Sequence, residues 1–303
     1  MTDLIVIGAG MAGMTACLYA LRQGKSVTII EKNAIGGQIA ESPRVENYPS
    51  VESISGIELA DKTFSQIINK GAEFEFGEVT KLEKKDDIFY VYLEDKVLEA
   101  RAVVVASGCK HRKFNLPNEE KLIGHGISYC ALCDGAFYAG EDIVLIGDAN
   151  TALQYALLLS GYAKSVHIVT LFDKFFGDQA LIDNVLSKEN IKVSHNLSLK
   201  EFVGEDKLEG LVFENTQTHK EERIKTKAVF VAIGQVANNE VFKEFADLDK
   251  NGYFVRTEDL STKTPGLFVA GDATSKKVKQ VATAISDGAI AATSACNYLL
   301  SLK

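Results

Sequence analysis

Cys130 and Cys133 stand with two residues between them, and Asp134 directly behind. Thiols at this spacing can form a redox-active disulfide or contribute to a metal site. A structural zinc would need two further soft or imidazole ligands at metal spacing. The chain has neither a second C-x-x-C nor an H-x-x-x-H, so redox chemistry is the reading. If the pair opens a helical turn, the helix dipole lowers a thiol pKa and favours the attacking thiolate. Asp134 by itself reads as a helix-terminal cap. The other cysteines, Cys17, Cys109 and Cys296, are scattered, and an odd total of five does not describe a disulfide scaffold. Cys17 and Cys296 read as small core residues on the first and last helices, and Cys109 as structural.

Gly8-Ala9-Gly10-Met11-Ala12-Gly13 follows the apolar run Leu4–Ile7 and opens a helical stretch. In that context the first glycine makes the tight turn and the second lets backbone approach a pyrophosphate. The third lets helix and strand pack closely. Helix-terminal N–H groups then face the phosphates. Glu31 closes the second strand 23 residues after Gly8, where a carboxylate can accept ribose hydroxyls. The turn alone does not choose between FAD and NAD. Late in the chain Gly271-Asp272 follows the apolar run Leu267–Ala270, and Asp272 reads equally as a cofactor contact or a helix cap.

A second strand–turn–helix begins at 143–146, but its turn reads Gly147-Asp148-Ala149-Asn150-Thr151-Ala152. Ala149 carries a Cβ where a pyrophosphate must approach. Asp148 adds a carboxylate to an anion site. The position equivalent to Glu31 is Thr170, followed by Leu171-Phe172-Asp173-Lys174-Phe175-Phe176. Damage at both the pyrophosphate and ribose ends points to loss of a nicotinamide nucleotide.

Strands are expected at 4–7, 27–30, 103–106, 143–146, 166–169, 229–233 and 267–270, with a small antiparallel meander over 71–100 and a long helix over 280–300. Alternation of buried strands with helices gives an α/β fold with parallel sheets. The expected organisation is two Rossmann-like nucleotide-binding domains, the second inserted in the first: 1–112 with 242–303, and a middle domain over 113–241. The 303 residues fit two domains. A net charge of −8 argues against nucleic acid as the main partner. No apolar run approaches the ~20 residues of a membrane span. The start of the chain shows no basic leader, so a cytoplasmic protein is expected.

The chain resembles the low-molecular-weight thioredoxin reductases over nearly its full length. The resemblance rests on Gly8-x-Gly10-x-x-Gly13, Gly36-Gly37-Gln38, Glu46-Asn47-Tyr48-Pro49, Cys130-Ala131-Leu132-Cys133-Asp134-Gly135, Gly271-Asp272 and Gln280-Val281. It implies an FAD site formed by the first glycine turn with Glu31, Gly37, Gln38, Asn47, Val79, Gly271, Asp272, Gln280 and Val281. It also implies thioredoxin as substrate, Cys130 as the attacking sulfur, Cys133 on the flavin side, Asp134 as acid, and a homodimer. NADPH-dependent members carry a His-Arg-Arg run where this chain has Thr170-Leu171-Phe172. The departure resembles the ferredoxin-dependent flavin thioredoxin reductases. Two basic clusters are then expected to steer an acidic ferredoxin: Lys110, Arg112 and Lys113, and Lys276, Lys277 and Lys279. A solvated face is the plain alternative. Three other functions stay open: an NAD(P)H-dependent reductase with an atypical site, a diflavin-linked disulfide oxidoreductase, and a flavin redox sensor that does not turn over.

Overall fold

The structure, a computed structural model, describes residues 1–42 and 45–302. It divides into two compact units: Met1–Lys110 with Val236–Lys303, and His111–Gln235.

Unit 1 begins with β1 (Thr2–Ile7), α1 (Met11–Arg22) and β2 (Val27–Glu31). After them come α2 (Gly56–Ile68), β3 (Glu73–Phe76), β4 (Lys81–Lys85), β5 (Ile88–Tyr92) and β6 (Val97–Val105). Among the described residues the sheet order is β3-β2-β1-β6-β5-β4. The segment expected as one meander divides. β4, β5 and β6 are antiparallel, with Leu82 opposite Val91 and Phe89 opposite Ala100. β3 instead runs parallel to β2, Phe74 opposite Ile29. Alternation within a strand does not specify its neighbour, because each face repeats every two residues whichever strand lies alongside.

Unit 2 contains β7 (Ile127–Ser128), α3 (Ala131–Asp134), β8 (Asp142–Ile146), α4 (Asn150–Ser160), β9 (Ser165–Val169), α5 (Gln179–Leu186) and β10 (Ile191–Ser194). It continues with β11 (Leu197–Val203), β12 (Gly210–Asn215), β13 (Glu221–Lys225) and β14 (Ala228–Val231). Strands β10, β9, β8, β14 and β7 lie side by side, all parallel, and β11–β13 form an antiparallel ladder. Ile143, Val144, Leu145, Val166, Ile168, Val229 and Phe230 are buried, as required of parallel strands covered on both faces. The two ends of unit 2 meet: the Arg112 N–H donates to the Gly234 carbonyl at 3.0 Å.

The chain then completes unit 1 with β15 (Leu267–Val269), parallel to β6, and α6 (Val281–Ser301). Small residues on α1 (Ala12, Ala16) and α6 (Ala291, Ala292, Ala295) share one core with Cys17 and Cys296, both fully buried. This close helix pair holds the glycine turn and the Gly271 turn in place from behind. None of the helices among the described residues is long and apolar enough to cross a membrane.

Candidate active site

The first glycine turn joins β1 to α1. A Cβ on Gly13 would collide with the Gly8 carbonyl, so its absence lets α1 lie against β1. A Cβ on Gly10 would meet nothing nearer than the Gly36 carbonyl at 3.9 Å, which marks the open side of the turn. The Gly36 N–H donates to Ala9 O at 2.8 Å, and Gly36 has φ +100°, a conformation that side chains resist. Glu31 lies at the lip: Oε2 accepts from the Ala9 N–H at 2.8 Å, and Oε1 from the Lys32 and Asn33 N–H groups at 2.9 Å each. Among the described residues no side chain caps the start of α1. A bare backbone cradle with helix-terminal amides and a carboxylate at its rim is the form that a dinucleotide's phosphates and ribose require.

The other residues expected around FAD gather in the same unit. Gln38 Nε2 donates to the Cys109 carbonyl, and Asn47 Nδ2 to Gln280 Oε1 at 3.1 Å, across 233 residues of sequence. Gln280 and Thr283 form a reciprocal cap at the start of α6, where Val281 is the first residue. Val79 is buried with Ile7 and Ile30, so its side chain belongs to the core. Burial pushes the Cys109 thiol up to about 11, which keeps it protonated and inert, as expected of a structural cysteine.

Gly271-Asp272 is anchored by a residue that the sequence reading missed. Asp287 lies inside α6, 2% exposed, and accepts from Arg256 Nη1 at 2.7 Å, Lys276 Nζ at 2.9 Å and the Gly271 N–H at 3.2 Å. Lys276 Nζ also lies 3.1 Å from Asp272 Oδ1. The signal was available: Asp287 is the one charged residue within Val281–Ser301. This network corrects the expected docking cluster. Lys276 is tied inward between two carboxylates. Lys279 donates to the Asp272 carbonyl at 2.5 Å and lies 4.0 Å from the Tyr253 ring centre. Lys113 pairs with Glu120 at 2.8 Å. Lys110, Arg112 and Lys277 remain exposed. A run of lysines reads as a solvated face until the fold supplies their anions.

In unit 2, Cys130 and Cys133 form a disulfide. Cys130 is the N-cap of α3, a single turn, and the Cys133 N–H points at Cys130 Sγ, 3.2 Å away. Asp134 Oδ2 accepts a 2.6 Å hydrogen bond from Ser128 Oγ, while Oδ1 is buried with no hydrogen-bond partner among the described residues. Burial raises the Asp134 carboxyl above its ordinary value, and the Ser128 bond opposes the rise. The turn therefore sets a disulfide beside an acid that favours keeping its proton.

The second glycine turn copies the first in outline and departs from it in its residues. The residue matching Gly36 is Phe176, whose N–H donates to Asp148 O at 2.7 Å as Gly36 does to Ala9. Phe176 packs edge-on against Phe172, ring centres 5.2 Å apart, and the two are 55% and 48% exposed. Ala149 takes the place of Gly10 as N-cap. Thr170 is fully buried, and its hydroxyl lies 2.7 Å from both Phe172 O and His195 Nδ1. Burial also raises the Asp148 carboxyl. A 310 Å³ cavity lined by Asp142, Ser165, His167 and Lys192 lies at the amino ends of β8 and β9, the edge away from the redox turn. Among the described residues no group of three or more His, Cys, Asp or Glu side chains could hold a metal ion.

Two Rossmann-like units, one with an open dinucleotide cradle and one with a C-x-x-C disulfide, define a flavoprotein disulfide reductase. Residues 2–288 match the family model described as pyridine nucleotide-disulphide oxidoreductase. A Clostridium pasteurianum protein named for its place in a rubredoxin operon is 38% identical over 98% of this chain and 97% of its own. Thioredoxin reductase of Bacillus subtilis is 36% identical over 99% and 96%. The crystal structure of thioredoxin reductase from Streptococcus pyogenes superposes with a TM-score of 0.95 at 35% identity, covering 100% of this chain and 99% of that one. The chain belongs to the pyridine nucleotide-disulphide oxidoreductases and, within them, to the low-molecular-weight thioredoxin reductases. The thioredoxin reductases of this family bind FAD, and the open backbone at Gly10 with the Glu31 carboxylate fits that cofactor.

Proposed function

We propose that this protein reduces the thioredoxin disulfide with electrons from reduced ferredoxin and not from NADPH or NADH. In this reading unit 1 is the FAD-binding domain, with the Gly8–Gly13 turn and Glu31 holding the pyrophosphate and ribose. Gly37, Gln38, Asn47, Val79, Gly271, Asp272, Gln280 and Val281 line the rest of the cofactor, Val79 through its backbone because its side chain is in the core. Bound FAD supplies the means to accept electrons singly and release them in pairs. With the pair reduced, the Cys130 thiolate attacks the substrate disulfide and forms a mixed disulfide while one substrate sulfur leaves. Asp134 gives that sulfur its proton. Cys133 then attacks Cys130 Sγ, which frees the second substrate sulfur and restores the Cys130–Cys133 disulfide. Thioredoxin as the substrate follows from the relatives named thioredoxin reductase.

One observation carries the choice of donor: the same chain holds one turn with the glycine and carboxylate that a dinucleotide uses and a second turn without them. At two matched positions, Gly10 against Ala149 and Glu31 against Thr170, unit 2 replaces what a nucleotide needs. Exposed Lys110, Arg112 and Lys277 are the proposed ferredoxin contacts, and a homodimer is the proposed assembly. The test is anaerobic turnover with reduced ferredoxin, NADPH or NADH, reading new thioredoxin thiols. Ferredoxin alone should support turnover. Stoichiometric bleaching of the flavin by micromolar NADPH or NADH, with no carrier present, refutes the proposal.

A further inference from the structure

We infer that Ser128 is a positioning residue that pins one oxygen of Asp134 and leaves the other, Oδ1, to hold and hand over the proton. Ser128 ends β7, and that strand is fixed by pairing with β14, Ser128 opposite Phe230. The serine is 3% exposed, so its hydroxyl has no bulk water to bond and must find partners within the fold. It donates to Asp134 Oδ2 at 2.6 Å and accepts from the Cys130 N–H at 3.1 Å. The Cys130 carbonyl, 3.4 Å from the same hydroxyl, is a weaker alternative acceptor. One hydroxyl thus joins the attacking cysteine's backbone to the carboxyl of Asp134, the last residue of α3.

The consequence for the acid follows from the count of hydrogen-bond sites. Ser128 has a single proton, and the short bond to Oδ2 uses it. One of its two lone pairs accepts from the Cys130 N–H, and while the proton stays in the short bond Oδ2 meets a donor. The proton of the neutral acid therefore resides on Oδ1, the oxygen with no hydrogen-bond partner among the described residues. When a substrate sulfur leaves as thiolate, its lone pair takes that proton from Oδ1. The carboxylate then carries the negative charge, and the Ser128 hydroxyl stabilises it through Oδ2. Two tyrosines face the same carboxyl: Tyr138, after α3, and Tyr155, on α4, whose phenols are raised chiefly by burial and secondarily by the Asp134 charge. Both stay neutral across the working range and do not supply the titration.

This inference rests on Cys130 and Cys133 being the working redox pair, and its test separates the two. Ser128→Ala removes the bond that favours the charged carboxylate, so the Asp134 pKa rises. An acid acts only while protonated, so the alkaline fall in thioredoxin reduction moves to higher pH. The plateau rate drops roughly tenfold because the carboxyl is no longer oriented. Ser128→Thr keeps the hydroxyl and should restore both features. A ¹³C NMR titration of the Asp134 carboxyl, made on the oxidised holoenzyme without any electron donor, should show the same upward shift in Ser128→Ala. An Asp134 titration unmoved in Ser128→Ala overturns the inference whatever the turnover data say. Full turnover in a Cys130→Ser variant, with the NMR shift present, overturns the redox reading and leaves the hydrogen-bond geometry standing.

Discussion

Replacing Asp287 with alanine should destabilise unit 1 and loosen its hold on FAD, and the size of the effect follows from what the carboxylate touches. The substitution deletes acceptors for the Lys276 ammonium, the Arg256 guanidinium and the Gly271 N–H. Lys276 is 8% exposed; it loses one of the two carboxylates that hold it and keeps Asp272 at 3.1 Å. Removing one partner of a buried ion pair costs about 3–5 kcal/mol, an upper bound here because Asp272 stays. Arg256, 33% exposed, contributes the smaller share because solvent screens it. At roughly 2 °C per kcal/mol for a chain of this length, the melting temperature should fall by up to roughly 6–10 °C. Scanning calorimetry of the holoenzyme with flavin fluorescence followed on the same ramp measures both effects. The Gly271 turn loses its anchor, so flavin should be released before the main transition. Asp247→Ala breaks an exposed pair with Lys263 at 2.9 Å and serves as control, with a loss under about 1 kcal/mol. A melting temperature for Asp287→Ala within about 1 °C of the unmodified protein, with flavin retained, would show that the network neither stabilises the fold nor holds the turn.

Two alanine substitutions in one turn should separate packing from ligand approach. Gly13→Ala drives a methyl into the Gly8 carbonyl and should cost the apoprotein more than about 2 kcal/mol. Gly10→Ala meets open space and should change apoprotein stability by about 1 kcal/mol or less, yet sharply weaken FAD binding; urea melts and flavin titration read the difference. Burial lowers His111, stacked on Tyr129, and His167, beside Ser194, to about 4 each. Because the folded values lie below the unfolded one near 6.5, the unfolded chain binds more protons between the two. Their contribution is thus full above pH 6.5 and declines toward pH 4; the unfolding free energy from urea melts at pH 5 should lie below that at pH 7 by roughly 1–2 kcal/mol from His111, with a smaller, solvent-screened share from His167, and His111→Gln should remove its part. Ferredoxin-driven turnover should slow as ionic strength rises, and more steeply in the unmodified protein than in Lys277→Glu; equal salt slopes would remove Lys277 from the docking surface.

Short-range physics made much of this protein legible from its residues. The strand runs around Leu4–Ile7, Ile143–Ile146 and Leu267–Val269 had to be buried strands, because continuous apolar stretches bounded by glycine turns have no other stable use at that length. The contrast between Gly10 and Ala149 was visible for the same reason: whether backbone can approach a phosphate is decided by the presence of one Cβ. The C-x-x-C likewise carried its chemistry in its spacing. Tertiary structure decided every matter that depends on a partner distant in sequence. It alone brought Asn47 to Gln280, set Phe176 beside Asp148, and tied Ser128 to Asp134 through the pairing of β7 with β14. It turned Lys276 and Lys279 inward, and it paired β3 with β2 in place of β4. A side chain's type and local period limit what it can do. Which of the available donors, acceptors and counter-charges it meets depends on long-range packing, which no window of sequence contains.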